Sequence, residues 1–188
     1  MAARAPIWWG WHRLDSSWAD TLVADAGIGA GDLVLDIGAG VGAITIPLVA
    51  AGARVIAIEL HSGRAVALRQ LFSASPVVVV TADATDLRLP RKPFKIVANP
   101  PFSVTTSLIR RLVAPGSRLV RADLVVPAYV AQRWTCGRAP AQARWGRDFE
   151  MAIGRRLPRH AFSPPAPMDV RVLTVARARV CHRATRRS

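Results

Sequence analysis

The chain is short of lysine, cysteine and acid. Lys92 and Lys95 are the only lysines among 26 basic residues, and 12 acids leave a formal net charge of +14. That balance argues against a cationic partner and points to a polyanion such as nucleic acid. The plainer alternative is a solvated basic surface on an arginine-biased chain. The two cysteines, Cys136 and Cys181, lie far apart and in no metal-ligand spacing, which excludes a zinc motif or a disulfide scaffold. Free thiols in a reducing compartment are expected. No apolar run reaches the ~18 residues of a membrane-spanning helix. Met1 to Gly10 has no apolar core of signal-peptide length, so a cytoplasmic protein that does not engage a membrane is expected. No internal repeat is visible, which excludes a solenoid. Disorder is excluded because 51% of the 188 residues are hydrophobic, enough for one domain with a full core.

What is present alternates. Continuous apolar runs at 33–37, 54–58, 77–80, 94–98 and 123–127 read as strands buried on both faces. Between them, apolar residues at helical spacing predict helices over 43–51, 63–72 and from Thr105 or Thr106 through Val113. Another helix runs from Asp15 or Ser16 to about Ala26, and a further one starts at Tyr129. Two late strands, at 151–157 and 170–175, flank the proline-rich stretch 158–167 and are expected to form an antiparallel edge hairpin. The whole predicts an α/β fold: a mostly parallel, seven-stranded sheet with right-handed crossovers. Three parts are expected: an aromatic N-terminal arm over 1–14, the domain over 15–176, and a basic tail over 177–188. The arm holds Trp8, Trp9 and Trp11 and reads as packed on the core, with a lid over a cofactor site as the alternative. His12 beside them reads as a hydrogen-bonded structural histidine rather than a catalytic base. The stretch 137–147 is small, basic and broken by glycine and proline, and predicts a mobile loop.

Two motifs carry chemistry, and both sit at carboxyl ends of predicted strands, where open α/β sheets bind ligands. The first is Asp36-Ile37-Gly38-Ala39-Gly40-Val41-Gly42. Its glycines let backbone pass close to a ligand. Their spacing is G-x-G-x-G rather than the dinucleotide G-x-G-x-x-G, and Asp36 is awkward beside a pyrophosphate. An acid there suits a ligand with a cationic amino-acid end, such as S-adenosylmethionine. Glu59 ends the next strand and can accept from two ribose hydroxyls. Asp83, one strand further, can accept from an adenine amine. The alternatives are a solvated strand-end acid for Glu59 and a turn cap for Asp83. The second motif is Asn99-Pro100-Pro101-Phe102, a stiff polar turn. The Asn99 side-chain oxygen and the Pro100 carbonyl can accept the two N–H bonds of an exocyclic base amine, and Phe102 can stack on the base. Positioning, rather than a tuned base, would then lower the barrier. A proline-stiffened structural turn is the plain alternative.

In order along the chain, Asp36 to Gly42, Glu59, Asp83 and Asn99 to Phe102 resemble the Erm-type ribosomal RNA adenine N6-methyltransferases, relatives of the KsgA/Dim1 dimethylases. The similarity extends to Leu157-Pro158-Arg159-His160-Ala161-Phe162-Ser163-Pro164-Pro165. It implies a Rossmann-like class I methyltransferase fold, S-adenosylmethionine as cofactor, and an adenine in the macrolide-binding region of 23S rRNA as target. It also implies resistance to macrolides, lincosamides and streptogramin B. By position it assigns cofactor contacts to Gly38, Gly40, Glu59, Asp83 and Asn99. It adds His12 and Leu14, where the family's Gln-Asn/His-Phe segment is replaced by Trp11-His12-Arg13-Leu14. It places the target pocket at Asn99, Pro100, Pro101 and Phe102. Typical members continue into a small helical RNA-binding domain after the last strand, so this chain resembles a short form. The arginines of 137–147 and of the tail are expected to take over RNA contacts, from a monomer. The alternatives are an N6-adenine DNA methylase, an N5-glutamine protein methylase, or a non-catalytic RNA-binding homologue. An oxidoreductase fits the glycine spacing least.

Overall fold

The computed structural model describes residues 12–137, 139 and 141–178. The continuous apolar runs become strands β2 (Leu33–Ile37), β3 (Arg54–Ile58), β4 (Val77–Val80) and β5 (Phe94–Ala98). With β6 (Leu119–Pro127), β7 (Phe149–Leu157) and β9 (Val170–Arg177) they form one sheet in the order β4-β3-β2-β5-β6-β9-β7. The first five of these are parallel. β9 enters between β6 and β7 and runs antiparallel to both. The expected α/β sheet is therefore present, with its late hairpin.

Strand residues alternate between two cores. Val34, Val55, Val97, Val125 and Val172 pack under α1 (Ser16–Asp25) and α2 (Thr45–Ala50). Leu35, Ile58, Ile96, Leu124 and Leu173 pack under α4 (Thr105–Leu112) and α5 (Ala128–Thr135). On the α2 side, α3 (Ser62–Leu71) covers Ala57 with Leu68. Asp15 caps α1 by accepting from the Ser17 amide at 3.0 Å. Pro47 sits in the first turn of α2, where its missing N–H has no intrahelical partner to lose. No side chain caps α4; Thr105 is its first residue, and its hydroxyl donates to the Phe102 carbonyl at 2.9 Å.

Four features depart from the sequence reading. β6 begins at Leu119, four residues before the predicted start, because Arg118 and Arg121 hide the strand pattern. Arg121 is satisfied by a bidentate pair with buried Asp123, which also accepts from Thr174 on β9. Residues 13–14 form a short strand, β1 (Arg13–Leu14), paired antiparallel with β8 (Phe162–Ser163). Arg177 is not part of a tail. It belongs to β9, donates to the carbonyls of Leu119 and Ser117, and lies 4.8 Å over the Phe149 ring. Residues 179–188 of the expected tail and the three N-terminal tryptophans lie outside the described residues.

The fourth departure is the stretch 137–147. It contains α6 (Gln142–Trp145), and the Trp145 indole is buried against Trp134, with ring centroids 5.8 Å apart. A buried aromatic of that size anchors a segment that its glycines and arginines make look mobile. Trp145→Ala is expected to destabilise the fold by about 3 kcal/mol. The measurement is a fall in the urea midpoint at unchanged slope, and an unmoved midpoint would show that the segment is not anchored.

Candidate active site

The parallel strands β2, β3, β4 and β5 end on one edge, and the sequence motifs follow those ends directly. The glycine loop after β2 is tied to β3: the Gly38 and Ala39 amides both donate to the Ile58 carbonyl, at 2.8 and 3.0 Å. Gly38 has φ +79°, and a Cβ there would lie 3.3 Å from Pro101 Cδ and 3.5 Å from the Asn99 carbonyl oxygen. Only glycine lets the two motifs approach so closely.

A cavity of about 230 Å³ opens at this edge, and His12, Gly38, Glu59, Asp83, Asn99 and Phe102 are among its lining residues. Pro101 lines it too, while Pro100 is buried behind it. Gly40 and Leu14 border a smaller adjoining cavity with Asp36, and the Leu14 side chain belongs to the core. The fold thus gathers Gly38, Glu59, Asp83 and the Asn99 turn, which are separated by up to 64 positions (102 − 38).

The acids differ from one another. Glu59 is buried, and its carboxylate already accepts three bonds: from the Gly40 amide, the His61 amide and the Arg64 guanidinium, at 2.8, 2.8 and 2.9 Å. A carboxylate has about four acceptor positions, so bidentate acceptance of two hydroxyls would require Arg64 or the loop to give way. Arg64 carries no signal in the sequence. Asp83 is both cap and potential acceptor. Its Oδ1 accepts from the Thr85 amide and hydroxyl, at 2.7 and 2.8 Å. Those bonds, the backbone one first, hold its carboxyl below the usual range.

Asn99 has a defined orientation. Its Nδ2 donates to the His12 carbonyl at 2.7 Å. Only the amide nitrogen can donate, so Oδ1 is the end left to accept. His12 is itself held from two sides. Its ring stacks on Phe102, with centroids 5.8 Å apart and planes at 23°, and its Nδ1 lies 3.0 Å from the Pro164 carbonyl. The stretch 157–165 is visible in the sequence as a family-like segment, but its spacing assigns neither Pro164 nor the β1–β8 pairing to the site.

Asp36 is the most constrained group. It is 1% exposed, and its Oδ2 accepts from the Thr45 hydroxyl at 2.6 Å. Its Oδ1 is buried with no hydrogen-bond partner among the described residues. Burial, aided by the nearby Glu59 charge and opposed by Thr45, pushes its pKa up to about 7. An orphaned acid oxygen beside the glycine loop fits a ligand that brings a cationic amine and repels a pyrophosphate.

A profile of ribosomal RNA adenine dimethylases matches residues 14–147. The chain belongs to that family. It is 32% identical over 142 residues to an rRNA adenine N-6-methyltransferase of Corynebacterium diphtheriae, covering 71% of this chain and 53% of the relative. It is 33% identical over 131 residues to ribosomal RNA small subunit methyltransferase A of Leifsonia xyli, covering 66% of this chain and 47% of the relative. The chain thus spans about half the length of these curated relatives. The crystal structure of the 23S rRNA methyltransferase ErmE superposes with a TM-score of 0.78 at 23% identity, over 90% of this chain and 70% of that one. The Rossmann-like methyltransferase fold implied by the family resemblance is the fold observed. S-adenosylmethionine is the cofactor of this family and fold, and the orphaned Asp36 oxygen is compatible with its amino group.

Because the Asp36 pKa is raised on folding, this group favours the folded state fully below its unfolded value near pH 4 and less as pH rises through about 7. Asp36→Asn is expected to remove that slope and to be relatively more stable above pH 7. Urea denaturation between pH 4 and pH 8 measures it; parallel profiles for the two proteins would show that Asp36 is not a buried, raised acid.

Proposed function

We propose that this chain is the catalytic unit of an S-adenosylmethionine-dependent rRNA adenine N6-methyltransferase of Erm type. Its target is an adenine in the macrolide-binding region of 23S rRNA, and the modification confers resistance to macrolides, lincosamides and streptogramin B. The observation that carries the reading is the Asn99 amide, anchored by nitrogen to the His12 carbonyl so that oxygen is its accepting end.

An adenine amine is a poor nucleophile because its lone pair is delocalised into the ring. Asn99 Oδ1 and the Pro100 carbonyl accept its two N–H bonds and draw the nitrogen towards a tetrahedral shape. Phe102 stacks on the base. Gly38, Gly40, Glu59 and Asp83, with Asn99, His12 and Leu14, are assigned to hold S-adenosylmethionine, which supplies an electrophilic methyl group when bound. Preorganised acceptors act without reorganising during the step. A base buried in RNA structure must first be unstacked, so the substrate region is unpaired or becomes so.

A second reading, methylation of small-subunit rRNA, is favoured by the similar identity to a small-subunit methyltransferase. Incubating the protein with labelled S-adenosylmethionine and either unmodified 23S or 16S rRNA, followed by primer extension, separates the two. A stop at one adenine of the 23S macrolide-binding region is expected; a stop only in 16S rRNA would select the second reading. Asn99→Ala is expected to lower turnover by ~10²–10³-fold while cofactor affinity, read by calorimetry, falls far less. Near-normal turnover in that variant would overturn the mechanism.

A further inference from the structure

Tyr129, the only tyrosine in the chain, is 63% exposed and is the most exposed large apolar side chain among the described residues. It follows the end of β6, next to Ala128, whose amide donates to the Asp169 carbonyl at 2.9 Å. β6 is the parallel neighbour of β5, so Tyr129 and Asn99 stand on the same edge of the sheet.

Asp169 is ringed by arginine. Its carboxylate pairs with Arg156 at 2.9 Å, and Arg171 and Arg159 lie close enough for their charges to act on it. Arg156 and Arg171 are direct partners across β7 and β9. Like charges directly opposite one another destabilise a sheet, and here one carboxylate faces three guanidinium groups. Arg171 alternates with Leu173 and Val175 onto the face that α5 covers, the helix whose second residue is Tyr129. The same segment, 158–169, reaches the site through Pro164, whose carbonyl lies against His12.

An aromatic face beside surplus arginine is the composition of a single-stranded nucleic-acid seat. Bases stack on the ring, and the cations follow the phosphates. We infer that Tyr129, Arg156, Arg159 and Arg171 bind the unpaired RNA flanking the methylated nucleotide, with a neighbouring base stacked on Tyr129 and phosphates on the arginines. The inference rests on the RNA reading of the site and adds where the strand outside the pocket lies. It accounts for a pair of facing arginines that packing alone disfavours.

The test is fluorescence anisotropy of the full chain with a short labelled single-stranded RNA over a series of salt concentrations, with calorimetry of S-adenosylmethionine binding as the control. Tyr129→Ala is expected to weaken RNA binding roughly 5- to 150-fold, with Tyr129→Phe restoring it. Arg171→Gln is expected to flatten the salt dependence by about 0.7 in slope. Cofactor affinity should not change in any variant. Should Arg159→Gln disturb the loop through its bond to the Ala166 carbonyl, Arg171→Gln carries the same test, since Arg171 makes no such bond among the described residues. Unchanged affinity in Tyr129→Ala together with an unchanged slope in Arg171→Gln would overturn the seat. Equal binding of single- and double-stranded RNA, insensitive to Tyr129, would also overturn it and leave only diffuse electrostatic attraction. If the variants lose RNA binding but the parent methylates neither 23S nor 16S rRNA, the seat stands and the proposed reaction fails. If the parent methylates rRNA and the variants bind as it does, the reverse holds.

Discussion

One hydrogen bond, from the Asn99 amide to the His12 carbonyl, fixes the end of β5 relative to the short β1–β8 ribbon. Its 2.7 Å length is ordinary; its consequence is orientational. An asparagine amide free to rotate presents donor and acceptor interchangeably, whereas this one presents oxygen. The ribbon bears on the site twice more, through the His12 ring on Phe102 and through Pro164 on His12. The turn after β5 is stiff on its own account, since two prolines restrict it. Stiffness sets shape, and the carbonyl of His12 sets polarity.

The second constraint is charge held away from water. Asp36 and Glu59 are both nearly inaccessible, yet they are treated differently. Glu59 is surrounded by donors and knits the glycine loop to α3. Asp36 has one donor and one oxygen without a partner among the described residues. An arrangement that leaves a buried carboxylate half-satisfied is costly, and it is chemically sensible where a cationic group completes it. The proposed cofactor carries such a group. The same logic extends outward to Asp169, where one acid is set among three arginines at the solvent edge. Acid excess inside and cation excess outside match the division proposed above, of the carboxyl edge between a sulfonium cofactor and a polyanionic substrate.

Much of this is legible in the order of residues alone. The strand-end acids and the glycine loop are visible because continuous apolar runs announce buried strands, and whatever follows such a run must emerge at an edge. The Asn99 turn is visible for the same reason. Three things are not legible. β1 and β8 are two residues each, too short for any periodicity. α6 is a single turn whose one buried side chain is Trp145. Arg64 reaches Glu59 because of how α3 is rotated on the sheet, which helix spacing alone does not specify.

By itself, the sequence determined the class of fold, the order of motifs along the sheet and the chemical types brought to its edge. Hydrophobic periodicity and glycine spacing are local properties, and they suffice for that. Only the tertiary structure decided which end of Asn99 is presented, how many acceptor positions of Glu59 are already filled, and that one Asp36 oxygen has no partner among the described residues. Those outcomes depend on contacts between residues as much as 87 positions apart. Such contacts form only after the strands have paired in register and the connecting loops have closed over their ends.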